Sequence, residues 1–166
     1  MLKTSSTRRF ALYIAVVLGL TVGYALLRGS TWQGDAHLHT IMEIVATLLA
    51  IIVGAMGLTR YYSQKDSIFL IIGAGFLGTG FLDGYHALVT SAHFKPLMPS
   101  DLPALIPWSW VASRQFLSIM MVLSLLAWLR EERLGKVGKI AEPTVYVFTF
   151  MFSIGSFLFF AFTPLP

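Results

Sequence analysis

Five long apolar runs, at residues 10–27, 38–58, 68–91, 108–129 and 144–162, alternate with short polar segments along the 166-residue chain. A helix needs about 20 mostly apolar residues to cross the hydrocarbon core of a bilayer. The pattern therefore predicts an all-α integral membrane protein with about five transmembrane helices. The first run follows Lys3, Arg8 and Arg9, as the core of a signal peptide would. It is long, however, and leads into LLRGSTWQGD, which lacks a small-x-small cleavage site, so it reads as an uncleaved first span.

Composition strengthens this picture. Apolar residues make up 56% of the chain and charged residues only 12%, against roughly a quarter charged in a soluble domain. The chain has no cysteine, so any metal must be held by nitrogen and oxygen. A net charge of +4 would suggest nucleic acid in a soluble protein, but here the basic residues lie in short loops and report topology. Lys3, Arg8, Arg9, Arg60, Lys65, Arg130, Arg133, Lys136 and Lys139 fall on one side of the spans, against Arg28 and Lys95 on the other. The positive-inside rule then predicts a cytoplasmic N-terminus and an external C-terminus. Trp32, Trp108 and Trp110 lie near the outer boundary, and Tyr61, Tyr62 and Trp128 near the inner one, where aromatic rings favour the interface. The expected partners are thus the lipid bilayer and a small ligand or metal ion, with no nucleic acid.

The loops carry fewer signals. HFKPLMPSDLPALIP contains four prolines and reads as a compact outer cap that continues neither neighbouring helix. REERLGKVGKIAEP reads as a charged, solvated connector. No internal repeat or soluble domain is visible.

The polar residues inside the spans hold the chemistry. Counted at about 1.5 Å per residue, His39 and Glu43 lie roughly 2–8 Å below the outer boundary, Asp83 and His86 roughly 8–12 Å, and Arg114 roughly 9 Å. His39 and Glu43 are spaced i, i+4, and Asp83 and His86 are spaced i, i+3, so each pair shares a helix face. Ionisable groups in a span are expensive unless they pair or line a wet cavity. One reading is a structural network, in which Asp83 neutralises Arg114 and His39 bonds Glu43. The other is a ligand site. Two histidines with one or two carboxylates match the donors of zinc, iron or divalent copper. A haem between His39 and His86, or an anion or polar organic molecule on Arg114 walled by Trp108 and Trp110, fits the same residues. His37 and His93 lie at or beyond the boundary and read as surface residues, secondary as candidates. No arrangement of serine, histidine and acid suggests a hydrolase, and no enzymatic activity is expected.

Three blocks, HLHTIMEIVATLLAIIVG, FLGTGFLDGYHALVTS and PWSWVASRQFLS, occur in that order. Together they resemble the membrane-associated sensor domains of the MASE group, found at the N-termini of bacterial histidine kinases and diguanylate cyclases. On that resemblance His39 with Glu43, Asp83 with His86, and Trp110 with Arg114 occupy the family's motif positions. It implies a multi-pass sensor of two-component or related signal transduction in the bacterial inner membrane. It also implies that residues 1–166 form one sensor-like domain, the N-terminal part of a longer receptor. A homodimer through the membrane domain or attached signalling modules is among the expected assemblies. The alternative is a transporter or channel fragment with an intramembrane polar site. Such a pathway should carry polar residues into the inner halves of the spans, where LLAIIVGAMGL and SIFLIIGAGF are apolar.

Overall fold

A computed structural model of the chain describes residues 2–28 and 36–166, without the side chains of residues 2–7, 9, 36, 37, 136 and 137. Five long helices follow one another: α1 (Leu2–Leu27), α2 (Ala36–Gln64), α3 (Ser67–Val89), α4 (Leu102–Leu134) and α5 (Glu142–Phe162). Short 3-10 turns at Lys95–Leu97 and Gly135–Gly138 complete the order. All five helices are long and apolar enough to cross a membrane. The chain divides into two units, Met1–Asp35, which carries α1, and Ala36–Pro166, which carries α2 to α5. Trp32 lies outside the described residues, as does the side chain of His37.

Within the second unit α3 is the central helix, packed against α2, α4 and α5. Its polar residues Ser67, Thr79, Asp83 and His86 are all buried, and such groups cannot face lipid, so this helix must be surrounded by the others. Its neighbours α2, α4 and α5 have one apolar face for protein and another for lipid; Ile41, Leu48, Val122, Leu125, Val147 and Phe159 all point outward.

Glycine sets how closely α2 approaches α3. A Cβ on Gly57 would lie 2.9 Å from the Gly73 Cα, and one on Gly73 would lie 2.7 Å from the Leu58 backbone nitrogen. Farther along the same seam, Gly80 faces Ile51 and Gly84 faces Thr47. Association in lipid depends on van der Waals packing rather than on hydrophobic burial, so small residues that let backbones meet are the main adhesive. Two residues, Lys65 and Asp66, connect the pair. Lys65 takes φ +58°, and its N–H donates to the Tyr61 carbonyl at 2.6 Å, closing the end of α2 as a left-handed cap. On the other side of α3, Gly78 accommodates the Phe116 ring and Gly75 the Met120 side chain, and Phe116 is fully buried.

Several boundaries differ from the hydrophobic pattern. α4 begins at Leu102 rather than 108, taking in Pro103 and Pro107, which the sequence placed in a cap. Pro103 sits in the first turn, where its missing N–H has no helical partner to lose, and Pro107 costs a single bond one turn later. α2 and α4 run on to Gln64 and Leu134, because polar residues at an interface can stay helical once the chain leaves the hydrocarbon. α3 ends at Val89 and Thr90 caps it, its N–H and hydroxyl both donating to the His86 carbonyl.

The connector after α4 is not the solvated loop its charges suggest. Glu131 accepts hydrogen bonds from the backbone N–H and the hydroxyl of Ser67, and the Ser67 hydroxyl accepts from the Ile140 N–H at 3.2 Å. Lys139 donates through Nζ to the Lys65 carbonyl at 2.6 Å. Tyr61 and Tyr62 donate to the two oxygens of Glu142, at 3.1 and 2.6 Å. These contacts clasp the α2–α3 turn to the start of α5. At the opposite end the Ser100 hydroxyl donates to the Thr163 carbonyl at 2.9 Å and accepts from the Leu165 N–H at 2.8 Å, tying the α3–α4 loop to the C-terminal tail.

The glycine seam makes a direct prediction. Gly73→Ala forces its methyl against backbone that cannot yield, and should lower stability by about 1–3 kcal/mol, the usual range for overpacking. Gly155→Ala, with nothing within 4 Å of its Cβ position, should be neutral or stabilise by up to about 1 kcal/mol through helix propensity. Thermal unfolding of the two variants in detergent checks the contrast; equal effects would refute the close packing of α2 on α3.

Candidate functional site

The α2 sequence places His39, Glu43 and Thr47 on one line at i, i+4 and i+8, and the seam turns that line toward α3. From α3 come Asp83 and His86, 2% and 1% exposed. α4 contributes Ser109 and Ser113 on its α3-facing side, both buried, followed by Arg114.

His86 is oriented through its ring nitrogens. Nδ1 lies 2.6 Å from the Ser109 hydroxyl. That hydroxyl has one proton, which it donates to the Leu105 carbonyl at 2.5 Å, so it can only accept from the imidazole. His86 is accordingly the Nδ1–H tautomer, and its Nε2 keeps a free lone pair. Nε2 is buried and has no hydrogen-bond partner among the described residues. The same is true of Glu43 Oε2 and Thr47 Oγ1. The His39 and His86 rings stand edge to face with centroids 5.9 Å apart. His39, Glu43 and His86 each offer one ligand atom, all within 4.8 Å of one another. Exposure falls from His39 through Glu43 to His86, so the group opens at His39 and ends in the helix core.

Asp83 belongs to a second, adjoining group. Its Oδ1 accepts from the Ser113 hydroxyl at 2.5 Å, and its Oδ2 lies 3.5 Å from Arg114 Nη2. The guanidinium in turn sits over the Trp110 ring, 5.5 Å from the centroid. Arg114 is 39% exposed and faces a shallow groove of about 380 Å³ with Trp110, Gln115 and Ser118. Trp108 is elsewhere: it lines a groove between α4 and α5 with Phe159 and Phe160. His93 is exposed in the turn after α3.

The five ionisable residues gathered by depth thus separate into a histidine–carboxylate trio and an ion pair, joined through one turn of α3. Ser109 and Ser113 carry no charge, so the cost of burying ionisable groups does not single them out in the sequence. Their i, i+4 spacing in SWVAS was a usable signal, but a serine in a membrane helix usually bonds only its own preceding turn. Ser109 does that and also holds a histidine.

A family model of the membrane-associated sensor domain MASE3 matches residues 32–166. No curated protein and no solved structure matches the chain. The family match takes in α2 to α5 and both groups of polar residues, and the chain belongs to the MASE3 membrane-associated sensor domain family.

The ion pair can be tested apart from any ligand. Arg114→Met leaves the buried Asp83 carboxylate with Ser113 alone, and Asp83→Asn leaves Arg114 without its counter-charge. Each should lower thermal stability in detergent, by less than the roughly 3–5 kcal/mol of a fully buried pair because Arg114 is partly exposed. The double variant should regain part of the loss, and strictly additive losses would mean that the two side chains do not interact.

Proposed function

We propose that this sensor domain detects a divalent transition-metal ion, zinc, iron or copper, held by His39, Glu43 and His86. The observation that carries the reading is the His86 imidazole. Its Nδ1–H is committed to Ser109 while its buried Nε2 lone pair has no partner among the described residues and lies beside two further donors. Metal-binding histidines are oriented by this kind of hydrogen bond through the other ring nitrogen. Two imidazoles and one carboxylate form a three-ligand set that leaves a position for water or an external ligand.

The seam favours a single ion over a haem. Cβ atoms on Gly80 and Gly84 would stand 2.9 Å from Ile51 and 3.3 Å from Thr47, which supports a gap too narrow for a macrocycle. A transporter fits less well, since α2 carries only apolar residues, glycine and alanine between Thr47 and Thr59.

Signalling requires that the ion prefer one helix arrangement over another. Donor atoms around a tetrahedral zinc with bonds of about 2.0–2.1 Å are about 3.4 Å apart, whereas those of the trio are spread over as much as 4.8 Å. In the proposed response this contraction draws His39 toward His86, and the start of α2 with it toward α3. Because the glycine seam leaves no slack, the movement is carried along α2 as a shift against α3, toward the Lys65–Asp66 turn and the clasp that binds it to α5. In the orientation favoured by the basic residues, His39 opens to the periplasm, and the clasp lies on the cytoplasmic side, where signalling modules of a longer receptor would read it.

Metal titration of the full chain, purified without a metal-affinity tag, tests the site. Zinc, copper or iron should raise the unfolding temperature of wild type; His86→Ala and His39→Ala should remove the effect, and His93→Ala should leave it intact. Ser109→Ala should weaken binding by about 10–100-fold, as loss of an orienting partner typically does. A wild-type protein that none of the three metals stabilises would remove the metal reading. Orientation has its own test: reporter fusions after Gln64 and Gly135 should behave as cytoplasmic and fusions within residues 96–103 as periplasmic. The reverse pattern would place the trio on the cytoplasmic side.

A further inference from the structure

A groove of about 410 Å³ runs between α3, α4 and α5 at the end of the bundle remote from the trio. Ile71, Met120, Leu123, Val145 and Phe148 line its length, and Arg130 stands at its mouth. From Met120 to Arg130 is ten residues of continuous helix, about 15 Å at the helical rise, which is half of a hydrocarbon core of about 30 Å and so the depth of one leaflet. The Arg130 side chain is exposed, and no ion pair or hydrogen bond engages its guanidinium among the described residues. The nearby acids are otherwise placed: Glu131 is bound to Ser67, Glu142 to the tyrosines, and Glu132, at i+2 on the same helix, does not share the Arg130 face.

We infer that this groove binds one anionic phospholipid, with an acyl chain along the apolar floor and the phosphate on Arg130. A groove open to the hydrocarbon must be filled either by protein or by a lipid chain. A packed helix is a poor candidate, because small residues are what bring helix backbones together in lipid. Here Leu123, Leu126 and Phe148 stand at the rim, 37%, 53% and 41% exposed. A flexible chain passes between such side chains where a backbone cannot. Arg130 can lay its aliphatic stem along the groove and keep its guanidinium at the interface, where a phosphate offers the paired oxygens that a guanidinium fork matches. The site touches Ile140, Thr144 and Val145, beside the clasp that joins α5 to the α2–α3 turn, so lipid identity would bear on the position of α5. The inference is independent of whether a metal occupies the trio.

The experiment is native mass spectrometry of the full chain released from detergent with equimolar phosphatidylglycerol and phosphatidylcholine of matched acyl chains. Wild type should retain phosphatidylglycerol by about fivefold over phosphatidylcholine, the ratio one basic side chain near an anionic surface carries. Arg130→Gln should bring the ratio to unity, while Arg133→Gln, which removes an equal charge from the same end of α4, should preserve it. Leu123→Trp, which fills the groove, should reduce retention of both lipids, and excess inorganic phosphate should leave the wild-type ratio unchanged if the acyl chain takes part. The inference is overturned by a wild-type ratio near one, by a preference that survives Arg130→Gln, by equal losses in the Arg130 and Arg133 variants, by Leu123→Trp leaving retention untouched, or by phosphate abolishing the preference.

Discussion

The close contact of α2 with α3 is the constraint on which the rest of this structure depends. Helices in lipid gain little from burying apolar surface against each other, because lipid tails are equally apolar. Their association must come from dense packing and from polar contacts that hydrocarbon cannot supply. Gly57 and Gly73 allow the backbones to meet, and Gly80 and Gly84 continue the contact toward Thr47. This places the His39–Glu43 line against α3 and leaves α3 enclosed by three helices. Only an enclosed helix can carry Asp83 and His86 at near-zero exposure without presenting them to lipid.

Burial then sorts the polar residues by the partners within reach. Asp83 and His86 are three residues apart, and α4 meets each with a serine one turn from the next, Ser113 for the carboxylate and Ser109 for the imidazole. Arg114 follows Ser113 directly and so falls to Asp83 rather than to Glu43. The ion pair is thereby satisfied within α3 and α4. His86 has one nitrogen satisfied and one free, facing the carboxylate and imidazole of α2. The structure thus sets a charge-neutral pair beside an incompletely satisfied trio.

The end of the bundle remote from the trio is joined differently. Its contacts are hydrogen bonds from Tyr61, Tyr62, Ser67 and Lys139 to Glu142, Glu131 and the Lys65 carbonyl, and they connect turns rather than helix faces. Polar contacts at an interface are exchangeable with water, whereas the glycine seam is not. The clasp is the joint that α5 shares with the α2–α3 pair. α5 is linked there and is flanked by grooves along α3 and α4.

The hydrophobic pattern by itself determined the number of spans, the all-helical class and the residues that membrane burial makes expensive, because the bilayer imposes length and polarity rules on each segment separately. Family membership was also legible, in the ordered blocks around His39, Asp83 and Arg114. Local sequence did not determine where α4 starts, since Pro103 is tolerated in a first turn and Pro107, one turn later, costs only a single hydrogen bond. Nor did it show that Glu131, Lys139 and Glu142 bind across the turns at the end remote from the trio instead of facing water. The division of five ionisable residues into an ion pair and a trio was decided by tertiary structure alone. Spacing along one helix says which side chains share a face, but the rotation of one helix against another decides which faces meet, and that rotation is set by where glycine on α2 and α3, and serine on α4, let the backbones come together.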